Sequence, residues 1–298
     1  GSRGLGDVYK RQVFESTLNP ETRRSGGMHY TSIENIHKVI DPLFLDELKA
    51  EFEEIRNIAV KRTRERKLQD FQKKLSTLTF LDPACGSGNF LTETYLSLRR
   101  LENEILQELQ GGQMVLGYDN MNPIQVSISQ FYGIEINDFA VTVAKTALWI
   151  AESQMMKETE SIVLMHLDFL PLKTNAFIHE GNALQVDWES VIPKYQLSYI
   201  MGNPPFVARA GRTKAKDSSS KGMLDDTQKT DRLNVFGEDL GNVDYVACWF
   251  KKAAVFTKNT AIRCAFVATD SICQGQQIYP IWKNILQDDI YILSLIHI

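Results

Sequence analysis

Four polar residues in this 298-residue chain each follow a short apolar run, and together their side chains could bind a ligand. Asp82 and Glu135 are carboxylates, which suit an ammonium group and a pair of ribose hydroxyls, whereas Asn182 and Asn203 carry amides. Ligands bind beyond the carboxyl ends of parallel strands, so we expect the four residues to meet at one edge of a sheet. For each residue taken alone, capping of a strand end or stabilisation of a turn is the alternative.

The stretch DPACGSGNFL, residues 82–91, places a glycine turn between a strand and a helix. Gly86 and Gly88 allow the backbone to approach a ligand closely, and the N-terminus of the following helix favours a carboxylate or phosphate. A dinucleotide site would have a third glycine where Leu91 stands, and an acid about 20 residues further on. A nicotinamide-dependent oxidoreductase therefore fits poorly. An ammonium, a carboxylate and a ribose bound together describe S-adenosylmethionine.

The segment SYIMGNPPF, residues 198–206, stops an apolar run at Asn203, two prolines and Phe206. Asparagine before proline is a common turn opener, so this segment alone predicts a proline-rich turn as readily as a site. The elements around it decide between the two interpretations.

From Thr79 onwards, short apolar runs alternate with longer segments of helical periodicity. This alternation predicts βαβ units and a parallel sheet covered on both faces, an α/β fold. The predicted strands are TFLDP, FYGIEI, AFIHEGNAL, LSYIMGNPP and RCAFVATD, and the predicted helices are Phe90–Gln110, Asp138–Lys157, Asp244–Phe256 and Gln276–Leu286. Gly111–Ser129 and Val207–Arg232 interrupt the pattern. The second is predicted to be a long polar loop, whose net positive charge is compatible with phosphate contacts and equally with a solvated loop.

Helical signals also precede the first predicted strand. Thr31 and Ser32 are suited to capping a helix, and Asp41–Pro42 repeats the start signal. The charged run Lys61–Lys67 predicts a solvated helix face. We therefore expect a helical segment before the sheet.

The composition narrows the class of protein further. A formal charge of −4 gives no overall basic surface for nucleic acid, so any DNA-binding surface must be local. The four cysteines contain no C-x-x-C pair, which favours a reducing compartment, and the histidines show no zinc-ligand spacing. No apolar run reaches the roughly 18 residues of a membrane helix. We expect a cytoplasmic protein with no metal site and no membrane segment.

Taken together, the motifs resemble a known family. DPACGSGNFL followed by GNPPF is similar to the cofactor and catalytic motifs of gamma-type, adenine-specific DNA methyltransferases, which act on the exocyclic amino nitrogen. Further segments, from GMHYTS to RCAFVATDSICQGQQ, resemble the methyltransferase domain of MmeI-like restriction–modification enzymes over nearly all of Asn19–Leu286. The resemblance implies a Rossmann-like class I fold that uses S-adenosylmethionine and acts on double-stranded DNA. Its doubly wound, mostly parallel sheet would be truncated before the final strands.

The resemblance also implies roles for individual residues. The cofactor-binding set comprises Tyr30, Thr31, Asp82, Pro83, Ala84, Gly86, Gly88, Asn89, Glu135, Ile136, Asn182 and Ala183, and the target-base pocket comprises Asn203, Pro204, Pro205 and Phe206. Tyr30 and Thr31 would touch the methionine end of the cofactor. Glu135 would hold the ribose hydroxyls, Ile136 would lie against the adenine ring, and Asn182 would bond the adenine edge.

In the base pocket, the side-chain oxygen of Asn203 and the carbonyl of Pro204 would each accept one hydrogen of the adenine amino group. Two fixed acceptors draw that nitrogen towards tetrahedral geometry and release its lone pair for attack on the methyl group. Phe206 would stack on a base turned out of the duplex. A methyltransferase acting on RNA or on protein glutamine could use the same pocket, and a non-catalytic DNA-binding relative is a further alternative.

Both ends of the chain look foreign to the rest of it. Residues 7–12 spell DVYKRQ and residues 293–298 spell LSLIHI. These two strings are encoded by the complementary strands of one transposon sequencing adapter. We therefore expect tails at 1–12 and 293–298, an N-terminal cofactor motif and helical segment at 13–78, and a methyltransferase domain, incomplete at its C-terminus, at 79–292. The resemblance implies that a preceding nuclease domain and a following target-recognition domain are missing.

Overall fold

The computed structural model describes residues 31–110, 122–164, 167, 175–207, 224–237, 243–286 and 290–295. Its strands are β1 (Phe80–Asp82), β2 (Phe131–Glu135), β3 (Phe177–Glu180), β4 (Tyr199–Gly202) and β5 (Arg263–Phe266). Its α-helices are α1 (Ile33–Ile40), α2 (Asp46–Arg56), α3 (Lys61–Thr77), α4 (Asn89–Gln110), α5 (Asp138–Val163), α6 (Trp188–Val191), α7 (Asp226–Phe236), α8 (Ala247–Thr257) and α9 (Ile278–Ile285). Tyr30 and the N-terminal tail lie outside the described residues.

The described strands form one parallel sheet in the order β3-β2-β1-β4-β5. Each connection between neighbouring strands passes through helical segments, as a parallel sheet requires. The predicted α/β fold with a doubly wound parallel sheet is confirmed.

Strand side chains alternate between two hydrophobic cores, one on each face of the sheet. Phe80 and Met201 belong to the core that α1 to α5 cover, whereas Leu81 and Ile200 belong to the core that α6 to α9 cover. This alternation follows from the two-residue period of a strand. Both faces are buried, and so the strands read in the sequence as continuous apolar runs.

A row of stacked aromatic side chains helps to fix the register of the three central strands, β2, β1 and β4. Phe80 pairs with Phe131 on one side and with Tyr199 on the other, with ring centroids 5.2 and 5.5 Å away. Phe44 closes the row from the helical layer, 5.1 Å from Phe80. Because the register is fixed only two residues before β1 ends, the row also fixes where the polar strand ends lie.

The helices before the sheet differ from the prediction at one point. Ser32 caps α1, as expected, with its hydroxyl accepting from the Asn35 N–H at 3.3 Å. The start signal at Asp41–Pro42 marks a π-helical turn, Asp41–Leu45, with Pro42 in its first positions, and the chain continues through this turn from α1 to α2 without a break. This wider turn accommodates a proline, which has no N–H to donate.

The charged run Lys61–Lys67 lies on the largely exposed first part of α3, as predicted. Among the described helices, even the 26-residue α5 lacks the apolar length that a bilayer crossing requires.

The prediction of a long polar loop over Val207–Arg232 is wrong in its last part, which belongs to α7. The Asp225 carboxylate accepts from the Gln228 N–H at 2.8 Å, and the Gln228 side chain accepts from the Asp225 N–H at 3.1 Å. This reciprocal cap starts a helix inside a polar segment. Residues 208–223 of the predicted loop lie outside the described residues.

Candidate functional site

The predicted polar residues meet at the carboxyl edge of the sheet. Asp82 ends β1, Glu135 ends β2, Asn182 lies two residues after β3, and Asn203 directly follows β4. After β1 the chain adds β2 and β3 on one side, and then adds β4 on the other side. Such a reversal leaves a crevice beyond the strand ends, where α/β proteins bind ligands.

The glycine turn after β1 is folded against β2. Gly86 and Gly88 have φ of +53° and +81°, which favour glycine. The Cys85 N–H donates to the Ile134 carbonyl at 3.1 Å and so ties the turn to the neighbouring strand. A Cβ at Gly88 would lie 3.0 Å from the Ala144 Cβ, whereas a Cβ at Gly86 would meet no described atom within 4 Å. Gly88 thus permits close helix packing, and Gly86 leaves space on the crevice side.

Two carboxylates hold this turn in shape through backbone N–H groups. Asp82, only 1% exposed, accepts from the Ala84 N–H at 3.0 Å. One oxygen of Glu135 accepts from the Gly86 N–H at 2.9 Å and the other from the Asn137 N–H at 2.9 Å. Glu135 therefore joins the glycine turn to the start of α5.

The electrostatics of these carboxylates favour a cation. Burial raises the pKa of Asp82 to about 8, and the charge of Glu135 adds to the shift while the Ala84 N–H opposes it. Burial also raises the pKa of Glu135, against the backbone N–H groups that favour its charged form. An ammonium group placed nearby would stabilise the ionised form of both.

An apolar surface lies next to Glu135. Ile136 is 66% exposed, and Phe139, in the first turn of α5, is 54% exposed. Such a surface could cover a flat aromatic ring. Phe139 was not among the predicted residues, because its exposure depends on the fold and not on a local motif.

The amide of Asn182 is used within the protein. Its Nδ2 donates to the Asp231 carboxylate at 2.7 Å, and its Oδ1 accepts from the Leu184 N–H at 2.9 Å. Asp231 lies on α7, is 1% exposed, and also accepts from Gln185 at 2.8 Å and from the Tyr245 hydroxyl at 3.0 Å. Asn182 therefore lies at the predicted edge, where its side chain shapes residues 182–187, the 182–187 loop.

Lys252 on α8 holds the same loop from a second side. Its ammonium donates to the carbonyls of Ala183 and Val186 at 2.7 and 2.6 Å, and lies 5.5 Å from the Trp188 ring centroid. Burial lowers the pKa of Lys252 to about 8, opposed by the charges of Asp187 and Asp231. Because two helices hold it, the 182–187 loop is preformed.

The predicted base pocket lies directly over Asp82. Gly202 has a φ of +155°, and a Cβ there would lie 2.3 Å from the Asp82 Oδ1. Pro204 is buried, whereas Pro205 and Phe206 are partly buried, and Phe206 packs against the second core. Only glycine at position 202 lets the predicted base segment, Gly202–Phe206, approach the Asp82 carboxylate so closely.

The two ends of the Asn203 amide have different surroundings. Its Nδ2 donates to the Thr31 hydroxyl at 2.9 Å, and Thr31 itself is only 7% exposed. Its Oδ1 is buried, yet no described residue donates a hydrogen bond to it. Buried acceptors are rarely left without a donor. The Oδ1 of Asn203 is thus held ready for a donor that a ligand would bring.

Sequence reasoning missed three residues that hold the site in place: Asp231, Lys252 and Trp249, whose indole N–H donates to the Pro83 carbonyl at 3.1 Å. No local motif marks them, because each acts over a long sequence separation. Thr31, predicted to touch the cofactor, contacts Asn203, whereas Tyr30 lies outside the described residues.

The fold and motifs agree with comparisons to known proteins. The family model "MmeI, DNA-methyltransferase domain" matches residues 58–296. The structure of the Type IIL restriction–modification enzyme MmeI in complex with DNA is 43% identical, with a TM-score of 0.79 over 92% of this chain and 34% of that chain.

Two curated proteins are also similar. DNA methyltransferase A of Bacillus subtilis (strain 168) is 38% identical over 291 residues, which cover 96% of this chain and 30% of that protein. Adenine-specific methyltransferase PglX of Streptomyces coelicolor is 32% identical over 74 residues, 25% of this chain and 5% of that protein. The chain spans about a third of the length of MmeI and of the Bacillus protein. Since the family model matches most of its residues, this chain belongs to the MmeI DNA-methyltransferase domain family.

Proposed function

We propose that this chain transfers a methyl group from S-adenosylmethionine to the exocyclic amino group of adenine in double-stranded DNA, within a restriction–modification protein. The observation that carries the proposal is the buried Oδ1 of Asn203, to which no described residue donates. An amino group supplies the donor that this oxygen lacks. The similar proteins support the choice of DNA, and PglX supports the choice of adenine.

The residues on the crevice fit the proposed cofactor. The raised pKa of Asp82 fits an ammonium partner, the space beside Gly86 fits a close backbone approach, and the exposed Ile136 fits an adenine ring. Glu135 would hold the ribose, and the backbone of the 182–187 loop would border the adenine edge. When bound, S-adenosylmethionine supplies an electrophilic methyl group on a sulfonium.

The residues of the base segment prepare the nucleophile. An adenine amino group is a poor nucleophile, because its lone pair is delocalised into the ring. The Asn203 Oδ1 and the Pro204 carbonyl each accept a hydrogen bond from one N–H of this amino group. The nitrogen is thereby drawn towards tetrahedral geometry, and its lone pair localises on it. Buried, fixed dipoles do this efficiently because they need no reorganisation. The prolines hold both acceptors by restricting φ.

Phe206 provides the surface for the target base. The reacting nitrogen lies inside the duplex, so the base must leave the stack to reach Asn203. An aromatic ring next to the two acceptors offers stacking to replace what the base loses. We place the reaction in the cytoplasm, and assign sequence recognition and any DNA cleavage to further domains of a longer protein.

The test is to express the complete reading frame that contains these residues in a methylation-deficient host, digest the host DNA to nucleosides, and quantify methylated bases by mass spectrometry. Asn203→Ala removes the acceptor and should lower methyl transfer at least about a hundredfold, as loss of a transition-state hydrogen bond does. Asn57→Ala is the matched control, because Asn57 is an exposed cap at the end of α2.

Methyladenine from the wild type and from Asn57→Ala, with none from Asn203→Ala, is the expected result. Wild-type levels of methyladenine from Asn203→Ala would refute the role of Asn203. Intact cofactor binding without any methylated DNA base would favour RNA or protein glutamine as the substrate.

A further inference from the structure

We infer that Thr31 is a positioning residue for methyl transfer, which fixes the side chain of Asn203 beside the target base. The contact joins residues 172 positions apart, with the Thr31 hydroxyl accepting from the Asn203 Nδ2 at 2.9 Å. The inference rests on the proposed function, and assigns Thr31 a task other than the cofactor contact that its motif implies.

The hydrogen bond restricts the rotation of the Asn203 side chain and so sets where its amide lies. A side-chain amide has nearly the same shape after a half-turn, so sterics alone select its orientation weakly. In the present orientation, the buried Nδ2 has an acceptor in Thr31 and the Oδ1 faces no described donor. The Thr31 hydroxyl can accept from an N–H or donate to an oxygen, so it holds the amide in either orientation, and the target amino group, which is a donor, selects the one with the Oδ1 towards it.

Thr31 can hold this orientation because the residues that follow it are firmly attached. Ile36 and Ile40 on α1 are buried to 1% and 0% exposure, and this packing anchors the helix. His37 reaches Glu93 on α4 at 3.0 Å, so α1 is linked to the helix that begins at the glycine turn. The Thr31 hydroxyl therefore has a fixed position relative to the crevice.

The experiment compares three variants of the complete protein. Thr31→Val keeps the shape of the side chain and removes the hydroxyl. Thr31→Ser keeps the hydroxyl. Ser32→Ala is the matched control, because it removes the neighbouring hydroxyl, which caps α1 and does not contact Asn203. For each protein, the single-turnover rate of methyl transfer to DNA and the dissociation constant for S-adenosylmethionine, by calorimetry, are measured.

Thr31→Val should lower the single-turnover rate about ten- to a hundredfold, the effect of leaving one buried polar group without its partner. The dissociation constant should stay within about twofold, because Thr31 acts on Asn203 and not on the cofactor. Thr31→Ser should restore most of the rate, and Ser32→Ala should leave it unchanged.

Three results with the variants would overturn this inference alone. A wild-type rate in Thr31→Val would show that Asn203 needs no partner, and a weaker cofactor affinity at an unchanged rate would make Thr31 a cofactor ligand. An equal loss of rate in Ser32→Ala would show that only the attachment of α1 matters. A wild-type protein that binds the cofactor and methylates no adenine would overturn the proposed function itself, and this inference with it.

Discussion

The polar side chains on the two sides of the crevice differ in how fully they are hydrogen-bonded within the protein. On the cofactor side, which comprises the glycine turn, Glu135 and the 182–187 loop, both oxygens of Glu135 accept from backbone N–H groups and Asn182 is bonded at both ends of its amide. On the base side, which comprises Thr31 and Gly202–Phe206, the Asn203 Oδ1 is buried without a described donor. The cofactor side is built to hold a shape, and the base side keeps one acceptor for a ligand.

This difference indicates what substitutions on each side should change. A side chain that fixes a loop should affect cofactor affinity when it is removed, because the backbone shape is lost. An acceptor kept for the reacting group should affect the rate of methyl transfer and leave the affinity unchanged.

The largest effect is expected where the two sides touch. Gly202→Ala places a Cβ 2.3 Å from the Asp82 Oδ1 at a φ of +155°. Asp82 is a short, buried side chain held by the Ala84 N–H, so the strand ends must separate. Because a misplacement of about 1 Å costs roughly a hundredfold in rate, both cofactor affinity and single-turnover rate should fall by about that factor or more.

Gly275→Ala is the control for Gly202→Ala. It also introduces a Cβ at a positive φ, +66°, but that Cβ meets no described atom within 4 Å. It should cost stability alone. If Gly202→Ala lowers the rate and leaves the affinity intact, the two sides are independent, and the close approach of Gly202 to Asp82 does not affect cofactor binding.

The amino-acid sequence predicts one part of this site and leaves another part hidden. The position of the four polar residues at the ends of the strands could be predicted, because apolar runs and polar ends are local patterns. The bond between Thr31 and Asn203 could not be predicted, since a residue 172 positions away leaves no periodic signal. Asp231 was hidden as well, because its polar segment predicts a loop, whereas a reciprocal cap starts a buried helix there.

The second prediction concerns the pH dependence on the cofactor side. The ammonium of the cofactor should bind the ionised form of Asp82, whose pKa burial raises to about 8. Below that pH, binding must first remove a proton, so affinity should fall by up to about tenfold per pH unit between pH 7.5 and 6. Lys252, with a pKa of about 8, stays mostly charged over this range.

Calorimetry in buffers with different ionisation enthalpies should show the release of about one proton per cofactor bound at pH 6.5. Asp82→Asn should bind the cofactor more weakly at pH 7.5 and should abolish both the proton release and the slope. A slope that persists in Asp82→Asn would assign the proton to another group, such as Glu135.

The third prediction concerns the base side alone. Phe206→Ala should lower the single-turnover rate on duplex DNA about five- to a hundredfold, since base–aromatic stacking is worth about 1–3 kcal/mol. Cofactor affinity should not change. Phe206→Leu separates stacking from packing, because Phe206 also contacts the second core and leucine refills that space. A wild-type rate in Phe206→Leu would show that Phe206 does not act by stacking on the base.

The smallest effect is expected at the attachment of α1 to the rest of the protein. This helix begins just after Thr31, one of the residues of the base side. His37 lies 2.8 Å from Asp41 and 3.0 Å from Glu93. Burial lowers the pKa of His37, but the hydrogen bonds and charges of these two carboxylates raise it more, so the net shift is upward. A raised pKa in the folded protein means that the imidazolium stabilises the fold fully below about pH 6.5, and that this contribution is lost as the pH rises through the raised value.

The attachment of α1 should therefore loosen with rising pH, whereas cofactor binding strengthens, so the two sides have opposite pH dependences. Amide hydrogen exchange of α1 measures this attachment directly. Its free energy of local opening should fall by about 0.2–1 kcal/mol between pH 6 and 8.5, the range of a partly exposed ion pair. His37→Gln keeps a hydrogen-bonding side chain without the charge, and should show no such fall. If the fall persists in His37→Gln, another titrating group loosens α1, and His37 does not attach the helix through its charge.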